Sequence, residues 1–140
     1  MMNEKAEHFL LHAISDDWTS LSEFDVILAK LEPEKYSRQF VLDSIRDLGE
    51  RGLIRFGSFS APIRPWTPWD MTVTEAVDRI ANGYGNKVGY LDLADDEIYM
   101  SELLRAEITD SGRARLHQLG DPYDKYGDPW IDDPFSRADP

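Results

Sequence analysis

The chain has 140 residues, 41% hydrophobic and 30% charged, with a net charge of -12 and no cysteine. That length sustains one domain burying roughly two-thirds of its unfolded surface, and the balance is that of an ordinary globular protein, with no collagen-like or low-complexity bias. Disulfides, thiolate chemistry and cysteine zinc sites are excluded too, and no apolar run approaches the roughly 18 residues of a membrane span.

The opening residues Met1-Met2-Asn3-Glu4-Lys5 lack the basic and then apolar pattern of a signal peptide, so the cytoplasm is the expected compartment and no membrane partner is expected. The acidic balance disfavours nonspecific attraction to nucleic acid. It is unevenly spread. Between Lys30 and Arg64 seven basic residues face five acidic ones, a net of +2, which leaves -14 for the rest of the chain.

In chain order, Ala6, Phe9, Leu10, Ala13 and Ile14 recur at helical spacing and predict a first helix over residues 4–14. Asp16-Asp17-Trp18-Thr19 breaks it. Ser20 with Glu23 has the capping-box pattern that opens a second helix, whose buried stripe is Leu21, Phe24, Leu28 and Leu31, widened by Val26 and Ile27. Pro33 ends it.

Ser37 is placed to cap a third helix with Val41, Leu42, Ile45 and Leu48 on its apolar face, closing at Gly49 or Gly52. Leu53-Ile54-Arg55-Phe56 then reads as a strand. From Ala61 to Asp70 three prolines favour an extended, solvated strap. Thr72 and Glu75 form a second capping-box pattern, for a fourth helix with Val73, Ala76, Val77, Ile80 and Ala81 on its apolar side, stopped at Asn82-Gly83. The runs 88–93 and 98–104 read equally as strands or as a strand followed by a helix. Residues 106–109 read as a strand, and Thr109 or Asp110 caps a last helix carrying Ala114, Leu116 and Leu119. The acidic tail, residues 120–140, carries Tyr123, Tyr126, Trp130 and Phe135, more aromatic surface than a solvated linker needs.

Two stretches together resemble a known family. Ser37 to Ile54 resembles the recognition helix and following strand of winged helix-turn-helix proteins, with an Arg51-Gly52-Leu53-Ile54 junction. Ile108-Thr109-Asp110-Ser111-Gly112-Arg113-Ala114 resembles the passage from the last wing strand into the next helix in MarR-like and PadR-like regulators. The resemblance implies an α+β, mostly α fold: a winged-helix core of three helices and a small antiparallel sheet over residues 1–119, an insertion of about residues 60–104 in the wing, and an extra C-terminal helix. It also implies groove-facing positions for Arg38, Gln39 and Arg46, with Arg55 at the base of the wing. Two features depart from a DNA-binding pattern. Glu32 and Glu34 stand beside the helix end that should approach phosphates, and the wing is replaced by a segment far longer than an ordinary loop.

Catalytic and cofactor signals are weak. His8 and His12 share a helical face but lack a third ligand and the glutamate of a metalloprotease motif. Gly83-Tyr84-Gly85 lacks the context of a phosphate loop, and Asp92, Asp95, Asp96 and Glu97 do not fit calcium-loop spacing. No cofactor and no enzymatic activity are expected. Trp66 and Trp69 read either as interface anchors or as a lid over the core.

The expected function is therefore a binding module for a protein with a basic surface, as an inhibitor, an immunity-type antagonist or a regulatory adaptor, contacting it through Arg38, Gln39, Arg46, Arg55, Arg64, Trp66 and Trp69. The alternative is a sequence-specific DNA-binding transcription regulator, which would need a homodimer to place two recognition helices about one DNA turn apart.

Overall fold

Every α-helix among the described residues except α2 begins where a short polar side chain satisfies an otherwise unpaired N–H. Asn3 accepts from the Ala6 N–H at 2.8 Å, Ser37 from Phe40 at 3.0 Å and Thr109 from Gly112 at 3.0 Å. The computed structural model describes residues 2–59 and 65–131. Within them the elements run α1 Glu4–Asp16, β1 Thr19–Ser20, α2 Leu21–Leu31, α3 Arg38–Glu50, β2 Ile54–Arg55, β3 Gly57–Phe59, β4 Trp66–Pro68, α4 Val73–Asn82, β5 Gly83–Tyr84, β6 Lys87–Val88, 3₁₀ turns at Tyr90–Asp92 and Asp95–Met100, β7 Arg105–Ile108, α5 Asp110–Leu119 and α6 Pro122–Tyr126. The fold is α+β, predominantly helical, with small antiparallel sheets.

The central sheet has the order β1-β7-β2. Thr19 pairs with Ala106, and Ile54 with Ile108. Between β2 and β7 the chain leaves the sheet, builds the β3–β4 hairpin, α4, the β5–β6 ribbon and the two 3₁₀ turns, and returns. One continuous core joins both parts: Leu10, Leu21, Phe24, Leu28, Val41, Ile45 and Leu48 from the first three helices, Ile80 from α4, and Tyr90, Leu103 and Leu104 from the returning segment. Truncating one such side chain to alanine costs about 2–5 kcal/mol.

Several expectations are corrected. Ser20 does not form a capping box: its backbone is paired with β7, and its hydroxyl lies 2.9 Å from that of Ser22. At Thr72 and Glu75 the reciprocal bonds do form. Val26 is exposed, because Leu21, Phe24, Ile27 and Leu28 already fill the face of α2 turned to the core. Ala114 is exposed, and Gly112 is the buried position of α5, where a Cβ would come 2.3 Å from the Leu53 carbonyl oxygen. The proline-rich strap forms strand β4 at Trp66–Pro68, paired with β3. In residues 88–93 only Val88 is in a strand and 90–92 form a 3₁₀ turn, while in 98–104 the first three residues end the second 3₁₀ turn and the rest is irregular. Glycine is required at Gly83, which ends α4 at φ 90°, a left-handed backbone that costs other residues energy.

The first part of the tail is docked. Tyr123 and Tyr126 of α6 pack edge-on or tilted against Phe9, and Tyr126 meets His8 edge-on. Phe135 lies outside the described residues.

Candidate functional site

The apolar stripe of α3 fixes what its other faces present. Val41, Ile45 and Leu48 are fully buried. Helical geometry then puts Gln39, Asp43 and Glu50 on the solvent side, where all three are exposed. Gln39 donates to Asp43 at 2.9 Å, and Asp47 beside them takes a bond from Arg51 at 3.1 Å. The outward stripe of α3 is acidic.

Its arginines are turned toward the segment inserted between β2 and β7. Arg38 donates to the carbonyls of Tyr90 at 2.6 Å and Leu93 at 2.5 Å, and to Asp95 at 2.7 Å. Arg46 reaches Thr74 at the start of α4, at 3.5 Å. Arg38, expected to face a groove, is instead used within the chain, because the carbonyls of this short turn attract its guanidinium at close range.

The Arg38 contact belongs to a larger latch. Tyr90 is fully buried, with its hydroxyl donating to Asp25 Oδ1, which also accepts from Tyr36 at 2.7 Å. Burial first, and then the bond to the Asp25 carboxylate, push the Tyr36 hydroxyl up to about 12, and the same two causes raise Tyr90. A second junction centres on buried Glu7 of α1, which receives two bonds from Arg51, at 2.8 and 3.1 Å, and one from Arg115 at 2.8 Å. Burial works to raise this carboxyl, and the arginine bonds outweigh it, leaving Glu7 below its ordinary range.

The other expected contact residues are also engaged. Arg55 is exposed, pairs with Glu107 at 3.3 Å and lies 5.0 Å from the Trp66 ring centre. Trp66 is half-buried, donates from Nε1 to the Arg105 carbonyl at 2.7 Å and stacks on Trp18. Trp69 stacks on Phe56, donates to Ser58 at 3.1 Å and covers Arg79 with Tyr84. Both indoles pack on neighbouring parts of the chain and keep part of their surface in solvent. Arg64 lies outside the described residues. Glu32 is turned inward, accepting from the backbone N–H of Asn3 at 2.9 Å, and so does not confront a ligand. The basic excess between Lys30 and Arg64 is thus largely absorbed by internal ion pairs of Lys35, Arg38, Arg51 and Arg55.

No family model, curated protein or solved structure matches the chain.

Two surface features carry chemical information. On the inserted segment a groove of about 300 Å³ is lined by Lys87, Val88, Leu93, Glu97, Met100 and Glu102 among others, with Val88 and Met100 well exposed. Between α1, α2 and the docked tail lies a cleft of about 440 Å³, lined by Phe9, His12, Asp16, Glu23, Val26, Tyr123 and Trp130 among others. The sequence reading missed this cleft, although the surplus aromatics of the tail were its signal. Among the described residues, no group of three or more His, Asp or Glu side chains is placed to hold a metal ion. His8 is buried and donates from Nε2 to the Gly120 carbonyl at 2.7 Å, while His12 lies edge-on to Tyr123.

No helix among the described residues is long and apolar enough to cross a membrane.

Proposed function

We propose that the chain is a non-enzymatic winged-helix module that binds a protein with a basic surface, as an inhibitor, an immunity-type antagonist or a regulatory adaptor. Support for the winged-helix reading comes from the strand order β1-β7-β2, with β1 between the first two helices and β2 directly after the third. The observation that carries the choice of partner is the solvent stripe of α3, with Gln39, Asp43 and Glu50 exposed while Arg38 and Arg46 face the inserted segment. Carboxylates on the helix that would enter a major groove repel phosphates, and the same carboxylates attract a basic protein. On the inserted segment the exposed Val88 and Met100, with Glu97 and Glu102 beside them, offer a separate patch with apolar area of the kind interfaces use.

The test pairs two measurements. Affinity capture from the native host should recover one stoichiometric partner that is lost from an Asp43→Lys, Glu50→Lys double variant and weakens with added salt. A random-sequence duplex library at low salt should show no retention. Salt-dependent duplex binding abolished by Arg46→Glu, with the double variant binding more tightly, would establish the DNA-binding alternative instead.

A further inference from the structure

We infer that the cleft between α1, α2 and the docked tail binds a small organic cation with an aromatic body, of the arylalkylammonium class. This goes beyond the protein-binding reading and uses other elements of the fold.

The cleft combines three properties. Its volume of about 440 Å³ lies within the range of about 300–1,000 Å³ usual for small-molecule sites. Its walls present the rings of Phe9, Tyr123 and Trp130 and the exposed side chain of Val26. Aromatic faces carry negative quadrupole potential, so they receive both an aryl body and an ammonium head.

The third property decides the sign of the ligand. Asp16 and Glu23 line the same cleft, and among the described residues neither is joined to a cationic side chain in an ion pair. Of the cations in this region, Arg105 makes its ion pair with Glu102, at 2.6 Å, and feels Glu23 only through space, while Lys30 lies over the Trp130 ring at 6.0 Å. The surroundings therefore favour a positive guest over a neutral or negative one of the same shape.

The experiment uses the full chain and three soluble probes sharing one body: 2-phenylethylammonium, 2-phenylethanol and phenylacetate. Binding is read from the NMR shifts of the Trp130 indole and the Tyr123 ring. The ammonium should give saturable shifts, with the alcohol at least about tenfold weaker and phenylacetate weaker still. An Asp16→Asn, Glu23→Gln variant should lose about tenfold in affinity for the ammonium and little for the alcohol. Equal affinity for ammonium and alcohol in the unaltered chain, or no saturable shift with the ammonium, would overturn the inference without reference to any variant.

Discussion

The guanidinium of Arg38 lies 5.4 Å from the ring centre of Tyr90 and donates to that residue's own carbonyl at 2.6 Å. Helix three is thereby tied to the segment inserted between β2 and β7, through an arginine that a groove-binding helix would have kept free. Arg38→Ala should destabilise the fold by about 2–3 kcal/mol, because two carbonyls lose charged donors. Urea unfolding would show this as a lower midpoint. An unchanged midpoint would mean that the contact contributes nothing in solution.

Glu7 joins α1 to Arg51 and to Arg115 of α5. Its folded-state carboxyl lies below the ordinary 4.5, so the unfolded chain binds the proton first as pH falls. Its contribution is complete above about 4.5 and disappears as pH drops through the lower folded value. Glu7→Gln should cost about 3 kcal/mol at neutral pH, since two arginines lose a buried partner, and should flatten the acid side of the stability profile. Thermal melts across the acid range would reveal either change.

Tyr36 gives the opposite limb. Its hydroxyl is raised from 10.0 to about 12, so the folded chain holds the proton longer than the unfolded one. The associated stability is complete below about 10 and is lost as pH rises through about 12. Tyrosinate absorbance should show this late ionisation in the parent, and Asp25→Asn should bring it to lower pH by removing the carboxylate acceptor. Ionisation at the ordinary value in the parent would contradict the latch.

At Gly112 the limit is steric. A Cβ there would sit 2.3 Å from the Leu53 carbonyl oxygen, a backbone atom with no rotamer to yield. Gly112→Ala should destabilise by about 3 kcal/mol or more, although alanine favours helices elsewhere. Circular dichroism melts of this variant should fall well below those of Ala114→Gly, a change at an exposed position.

Local pattern made much of the fold legible. Ser37, Thr72 and Thr109 cap the helices expected of them, and Val41, Ile45 and Leu48 are buried as their spacing required. The short runs at residues 88–93 and 98–104 were not legible, since their backbone is organised by partners distant in sequence, such as Arg38 on the Tyr90 and Leu93 carbonyls.

Periodicity and capping act within a few residues, so the amino-acid order alone settled where most helices begin and which sides they bury. Which charges remain available to a partner was settled only in three dimensions. A guanidinium finds its strongest partner by distance through space, and Arg38, Arg51 and Arg115 found carbonyls and carboxylates of this same chain. Among the charges left at the surface are the acids Asp43 and Glu50 on the third helix and Asp16 and Glu23 around the aromatic cleft.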